Sequence, residues 1–328
     1  MARREDITPS QEQVLLEILQ RDFPLHPKPF LCLATILKID EIEILNLLQR
    51  WQSEGKLRQI SAIFDPKAFQ HRSSLFAFKV GEEILERAKD IVNAHPGVSH
   101  NYLRDHPYNL WFTLVVPPNK DLMEEVDLLF RESGASDYLY LPVVRVFKIS
   151  TVFHEKGENT SFDDNPSGQE AELQEISEMD KALVRALQEP LPLVREPFKD
   201  IAKKLGLSEE EIFSWLKEKK AKGALRRFGA LFKHQKLGFV QNIMVGWSVS
   251  EDRIEEVAQY LARKTFITHC YQRKTYSHWP YNLYTMCHFK ERGKEAIEAL
   301  AKEIKLTDYL ALETLKEFKK TRLKLFYQ

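Results

Sequence analysis

The sequence predicts an α+β chain of two tandem repeats, each a winged helix-turn-helix followed by a ferredoxin-like β-α-β-β-α-β domain. Three observations carry that expectation. Short strings recur at a nearly constant distance: Pro29-Phe30 returns as Pro197-Phe198, Gly55-Lys56-Leu57-Arg58 as Gly223-Ala224-Leu225-Arg226, and Asp137-Tyr138-Leu139 as Asp308-Tyr309-Leu310. That spacing is far too long for a solenoid and fits a duplicated domain pair. Within each copy the punctuation reads helix, short helix, turn, helix, ribbon, which is the winged helix-turn-helix order. Beyond it, strand-like alternation and helical periodicity take turns in the order β-α-β-β-α-β.

In the first copy the helical part runs from Gln13 to Phe64. In the second, Lys181 to Leu187 is amphipathic and Pro197 to Gly206 reads as a short helix stopped by its glycine. Ser208 caps the next helix, whose first turn holds Glu209, Glu210 and Glu211, with Ile212, Trp215 and Leu216 as its apolar face. Gly223 ends it, and Leu225 to Phe232 is strand-like. In the second part of the first copy, Ser74–Val80, Gly97–Arg104, Tyr108–Val116 and Tyr138–Ile149 are strands, and Glu83–Asn93 and Asp121–Glu132 are helices. The second copy repeats this with strands Gln241–Val249, Phe266–Arg273, Tyr281–Phe289 and Tyr309–Phe318, and helices Arg253–Arg263 and Gly293–Ile304. The expected domains are therefore 1–66 and 67–153, a polar linker at 154–180, then 181–234 and 235–328.

Lysine plus arginine equals aspartate plus glutamate at 48 each, so the chain lacks the cationic excess that phosphate neutralisation favours in nucleic-acid binders. Cys32, Cys270 and Cys287 are far apart with no CxxC pair, against a disulfide framework or a cysteine zinc site. The start MARREDITPSQEQ lacks the apolar run of a secretory signal, and no segment approaches the roughly 20 apolar residues of a membrane span. A cytoplasmic protein is expected.

A winged helix-turn-helix ahead of β-α-β-β-α-β resembles the Lrp/AsnC regulators, which bind DNA with the first part and amino acids with the second. The helix ends that would meet the groove carry Asp40, Glu41 and Glu43 in one copy and Glu209 to Glu211 in the other. Carboxylates there repel phosphate, and a solvated face with helix-dipole pairing explains them better.

The costly chemistry lies in one segment of each copy: Gly97-Val98-Ser99-His100-Asn101-Tyr102-Leu103-Arg104-Asp105-His106-Pro107-Tyr108-Asn109-Leu110-Trp111-Phe112-Thr113, and Thr268-His269-Cys270-Tyr271-Gln272-Arg273 through Pro280-Tyr281-Asn282-Leu283-Tyr284. Alternate residues of a strand share a face. His100, Tyr102 and Arg104 therefore point one way, as do His269, Tyr271 and Arg273, and Trp111 and Thr113 share a face of the next strand. Such a face makes a poor core and a good ligand floor.

This segment, G-V-S-H-N-Y-x-R-x-H-x-Y-N-L-W-F-T, resembles the siroheme decarboxylases along the full length, and two copies in one chain are similar to their fused two-subunit form. The resemblance implies removal of carbon dioxide from two acetate side chains of siroheme to give didecarboxysiroheme, for heme d1 or an alternative heme pathway. It implies no organic cofactor, since the iron tetrapyrrole is the substrate, and no metal site beyond substrate-iron contact by His269 or His278. Expected partners are siroheme and the other half, as an internal pseudo-dimer open to further oligomerisation, with neither nucleic acid nor membrane. An Lrp/AsnC-type regulator and a non-catalytic heme-binding sensor stay open as alternatives.

Such a substrate is flat and rimmed with carboxylates. Arginine offers a planar fork for them, so Arg104, Arg273, Arg226 and Arg227 are expected rim contacts, with Arg145 and Lys148 further candidates. Lys274, Tyr271, Tyr276, Trp279, Tyr281 and Asn282 complete the expected binding set, and Tyr102, Trp111 and Tyr284 offer ring faces. The carbanion left by decarboxylation needs a proton, for which His100, His106, His269 and His278 are the candidate donors. Seven residues separate Arg273 from Tyr281 but only three separate Arg104 from Tyr108. The longer loop, with Lys274, Tyr276, His278 and Trp279, points to the second copy as the working half. His26, His71, His95, His154, His234 and His288 read as structural, Trp51 and Trp215 as core, and Asn109 and Asn282 as equally suited to a turn.

Overall fold

A computed structural model describes residues 7–21, 23–149, 173, 175–232 and 241–327. In chain order the first copy holds α1 (Pro9–Arg21), α2 (Pro29–Leu37), α3 (Glu41–Ser53), β1 (Leu57–Phe64), β2 (Arg72–Lys79), α4 (Leu85–Ala94), β3 (Val98–Arg104), β4 (Leu110–Val116), α5 (Leu122–Ser133), β5 (Asp137–Leu141) and β6 (Val143–Ile149). The second holds α6 (Glu178–Leu187), α7 (Lys199–Leu205), α8 (Glu209–Ala221), β7 (Leu225–Phe232), β8 (Gln241–Trp247), α9 (Ile254–Ala262), β9 (Ile267–Arg273), β10 (Leu283–Phe289), α10 (Gly293–Glu303) and β11 (Tyr309–Lys320). Contacts sort these elements by kind rather than by copy. One unit gathers Met1–Gln70, Ser167–Gln235 and Leu325–Gln328, and the other His71–Pro166 and Lys236–Lys324.

In the helical unit, α3 and α8 begin on capping boxes, Asp40 with Glu43 and Ser208 with Glu211, which satisfy amides that have no partner inside a helix. Gly55 and Gly223 follow these helices at φ of +72° and +71°, a conformation costly for any residue with a Cβ, and turn the chain into β1 and β7. The two wings pair with each other as an antiparallel ribbon, Ile60 opposite Ala230 and Ala62 opposite Phe228. Phe23 stacks on Phe228, and Phe198 packs on the same ring, so both copies share one aromatic core. The chain's last residues also belong here. Gln188 accepts from the amide of Leu325 and donates to its carbonyl, and Arg185 donates to the carbonyl of Phe326. The expected linker overruns into structure, because Ser177 caps α6 in a capping box with Asp180. Its residues 154–172 and 174 lie outside the described residues.

The second unit is one nine-stranded sheet in the order β5-β2-β4-β3-β11-β8-β10-β9-β6. Each copy contributes the expected ferredoxin-like order, β5-β2-β4-β3 and β11-β8-β10-β9. The expected strand Tyr138–Ile149 is corrected to two. Pro142 has no N–H to give a ladder, and the chain breaks there into β5, paired with β2, and β6, paired with β9 of the other copy. Likewise β11 pairs β8 with its first half and β3 with its second. Because β5 and β6 stand at opposite ends of the strand order yet are joined by one residue, the sheet rolls up until its ends meet at Pro142. Leu110, Phe112 and Leu114 pack outward with α4 and α5, and Leu283 and Cys287 with α9 and α10. The opposite face closes on Trp111, Leu139, Leu141, Met244, Trp279, Tyr284 and Leu312. Among the described residues, no helix is long and apolar enough to cross a membrane.

Candidate active site

Alternation along β3 and β9 puts His100, Tyr102 and Arg104 and their counterparts His269, Tyr271 and Arg273 on the inner face of the rolled sheet. In the strand order β3 and β9 are separated by β11, β8 and β10, so these two sets approach one another only across the interior. Burial pushes His269 down to about 4, and the charge of His100, then of Lys148 and Arg273, lowers it further. Burial likewise lowers His100, with Lys320 adding to the effect and Glu317 opposing it. Lys320 stands opposite His100, and Glu317 opposite Tyr102, on the neighbouring β11.

Arg104 is buried, and its guanidinium donates to the carbonyl of Leu312 at 2.9 Å and to Thr314 Oγ1 at 3.1 Å. Arg273 donates to the carbonyl of Leu141. Each lies over the tyrosine two residues before it, Arg104 at 5.5 Å from the Tyr102 ring and Arg273 at 5.3 Å from that of Tyr271. Each also keeps a buried Nε without a partner. Burial pushes both guanidiniums down to about 10, which leaves them cationic at neutral pH. Two desolvated cations bound, among the described residues, to carbonyls, a hydroxyl and ring faces have spare capacity for an anion.

The second copy adds a network that sequence reasoning missed. His269 Nδ1 lies 2.8 Å from Thr268 Oγ1, which lies 2.9 Å from His288 Nε2, and His288 Nδ1 lies 2.6 Å from Asn242 Oδ1. His288, expected to be structural, is hydrogen-bonded into this cluster. Burial pushes it down to about 4, with the charge of His269 next in effect. Period two along β10 was the available signal, since Tyr284, Met286 and His288 share a face. In the first copy Val115 faces Ser73 where His288 faces Asn242, and among the described residues the hydrogen-bond partner of His100 is Ser99 Oγ, at 2.9 Å from its Nδ1.

The four expected histidine donors do not converge. His106 lies in the turn after β3, six residues beyond His100, accepts from the amide of Tyr108 and packs edge-on to Trp279. His278 is exposed and stacks on Tyr276. The long loop folds back as a Tyr276–Trp279 bridge. Its Trp279 is buried and donates to Tyr284 Oη, Tyr276 donates to the carbonyl of Tyr140, and Lys274 sits over the Tyr276 ring. Tyr281 packs edge-on against Trp279. This loop caps the apolar interior of the sheet.

Asn282, expected as a ligand contact or a turn former, clamps backbone. Its Oδ1 accepts from the amide of Val249 and its Nδ2 donates to the same residue's carbonyl, using both ends of the amide. Asn109 holds Val80 identically. Arg226 and Arg227 lie in β7 of the helical unit, where Arg226 pairs with Asp65 at 3.2 Å and Arg227 donates to the carbonyl of Gln20. Arg145 pairs with Glu255, and Lys148 donates to the carbonyl of Lys264. Cys270 and Cys287 are buried, which pushes both thiols up to about 12. His154 and His234 lie outside the described residues. Among the described residues, no group of three or more His, Cys, Asp or Glu is placed to hold a metal ion.

Comparison with known proteins adds identity to this geometry. A family model described as the AsnC-like ligand binding domain matches residues 68–148 and 236–319. Another, the siroheme decarboxylase NirDL-like HTH domain, matches 12–58 and 180–226. The chain is 41% identical to a siroheme decarboxylase of Hydrogenobacter thermophilus over 319 residues, 95% of this chain and 94% of that one. It is 40% identical over 156 residues to the siroheme decarboxylase beta subunit of Oleidesulfovibrio alaskensis, covering 47% of this chain and 99% of that one. The crystal structure of the siroheme decarboxylase NirDL in complex with an iron-uroporphyrin III analogue superposes with a TM-score of 0.77 at 37% identity, over 97% of this chain and 95% of that one.

Proposed function

From the premise that the chain belongs to the siroheme decarboxylase family, we propose that it removes carbon dioxide from acetate side chains of siroheme at the inner face of its rolled sheet. The observation that carries this reading is the pair of buried guanidiniums, Arg104 and Arg273, which have no carboxylate partner among the described residues and share their strands with His100 and His269. A substrate rimmed with carboxylates supplies what those cations lack. Arg104 and Arg273 orient it through charge-assisted hydrogen bonds, and Tyr102 and Tyr271 present ring faces to the macrocycle. Loss of carbon dioxide leaves an electron pair on the side-chain methylene, delocalised into the pyrrole. His269 or His100 delivers the proton that turns it into a methyl group. Burial makes each histidine a stronger acid once protonated, which favours that transfer.

The helix-turn-helix parts are read as a pairing module rather than a DNA reader. Their wings are spent on each other, and carboxylates crowd the starts of α3 and α8. The test is anaerobic incubation with siroheme, followed by mass spectrometry and the Soret band. Loss of two carboxyl groups supports the decarboxylase. A spectral change without mass change would point to a heme sensor, and a salt-dependent promoter shift without either to a regulator.

A further inference from the structure

We propose that Asn242 and His288 are positioning residues that lock the proton of His269 onto Nδ1, leaving Nε2 as its one exchangeable proton site; this rests on the decarboxylase reading for its purpose but not for its geometry. Hydrogen-bond arithmetic forces the arrangement. Asn242 Oδ1 is an acceptor, so His288 Nδ1, at 2.6 Å, carries a proton. Burial holds His288 neutral, so its Nε2 has a lone pair and accepts from the Thr268 hydroxyl at 2.9 Å. That hydroxyl has one proton, and His288 Nε2 at 2.9 Å takes it in preference to the carbonyl of Met286 at 3.4 Å, which is near the limit of a hydrogen bond. At 2.8 Å from His269 Nδ1 the hydroxyl can only accept, and His269 must carry its proton there. The Nε2 of His269 has no partner among the described residues.

The consequence is directional. A second proton on His269 has one place to go, Nε2. A solvent proton loads that nitrogen and forms the imidazolium, whose Nδ1–H remains held by Thr268. When the carbon–carbon bond breaks, its electron pair stays on the methylene and carbon dioxide leaves. The Nε2 proton then passes to the methylene, giving a methyl group and restoring neutral His269. Per carboxylate, one proton is consumed and one carbon dioxide released. Among the described residues, the charged or titratable groups that act on His269 are His100, Lys148, Arg273 and His288, and those that act on His288 include His269 and Lys320. The first copy has no such relay, since Ser73 and Val115 replace Asn242 and His288. The two halves thus differ in proton handling, and the second is the donor half through its strands rather than its long loop.

The test uses the full chain labelled with ¹⁵N-histidine and long-range ¹H–¹⁵N spectra at neutral pH, with His269 assigned by its loss in His269→Gln. In the wild type, His269 and His288 should both carry their proton on Nδ1. Asn242→Leu removes the acceptor, so His288 should switch to Nε2–H, Thr268 should turn its hydroxyl to His269, and His269 should become Nε2–H. Asn242→Asp keeps an acceptor and should keep the wild-type pattern. Should the leucine variant fail to fold, wild type and Asn242→Asp still decide. A wild-type His269 protonated on Nε2, or an unchanged His269 in folded Asn242→Leu, would overturn the proposal. With siroheme, Asn242→Leu should lower kcat at least about tenfold with KM held within about twofold, as befits a misdirected general acid. Absence of wild-type turnover with the expected tautomers would sink the decarboxylase reading and leave the relay standing.

Discussion

Arg104 and Arg273 each donate to a main-chain carbonyl supplied by the other copy, Leu312 for Arg104 and Leu141 for Arg273. The two carbonyls occupy equivalent places in the last strand of each ferredoxin-like order. One repeated arginine thus ties each copy to the other while holding its charge out of water.

Removing either tie should cost both stability and binding. Arg104→Met leaves the Leu312 carbonyl and the Thr314 hydroxyl without a partner in a buried place. The expected loss is about 1–3 kcal/mol, read as a lower urea midpoint for the loss of sheet signal. The same change at Arg273 should lower the midpoint comparably and weaken siroheme binding. A folded Arg273→Met that binds siroheme with wild-type affinity would remove that arginine from the substrate contacts.

The two asparagine clamps make an independent prediction. Asn282→Leu fills similar volume but strands the amide and carbonyl of Val249, for an expected loss of about 1–3 kcal/mol in thermal or urea unfolding. Asn109→Leu should behave alike through Val80. Because both amides are turned to the backbone, tetrapyrrole affinity in the folded variants should stay near wild type. A selective loss of affinity at Asn282 would restore it as a ligand contact.

These residues show where the sequence was legible. The repeat, the helix caps and the β-α-β-β-α-β order follow from local patterns, and those patterns hold wherever the partner strand comes from. For the same reason the exchange of β6 and β11 between copies was invisible, since a strand looks alike whichever neighbour it pairs. Pro142 was the one local mark of it. Matching the copies against each other found His100 and His269 because both have them, and passed over His288, whose counterpart is Val115. Asn109 and Asn282 read equally as turn formers or ligand groups, because a polar residue bound to backbone and one bound to substrate carry the same letter. The loop histidines stood out by their place beside the repeated Pro-Tyr-Asn, but exposure separates His278 from the cluster, and only the fold reports exposure.

The buried histidines fix a pH dependence of stability. Burial lowers His269 and His288 from an ordinary 6.5 to about 4 in the folded chain. Between those values the unfolded chain takes up protons that the folded one refuses. Stability should therefore be at its full value above about 6.5 and fall as pH drops toward 4. His269→Gln removes one titrating group and should flatten that fall, as should His288→Gln. Urea unfolding at pH 7.5, 6, 5 and 4.5 measures it. A wild-type slope left unchanged in both variants would place the acid sensitivity elsewhere.

Turnover separates the strand histidines from the loop histidines. His269→Gln keeps a polar side chain of similar reach but cannot carry a proton at neutral pH. If it is the donor, anaerobic siroheme decarboxylation should slow by about a hundredfold or more, the usual contribution of a positioned general acid. His100→Gln reports whether the first copy's histidine takes part, and a loss confined to one of the two carboxyl groups would assign one histidine to each decarboxylation. His278 is exposed and its ring stacks on Tyr276, so His278→Ala should keep most of the wild-type rate. The reverse pattern, with His278→Ala inactive and His269→Gln active, would move the chemistry from the strands to the loop that caps them.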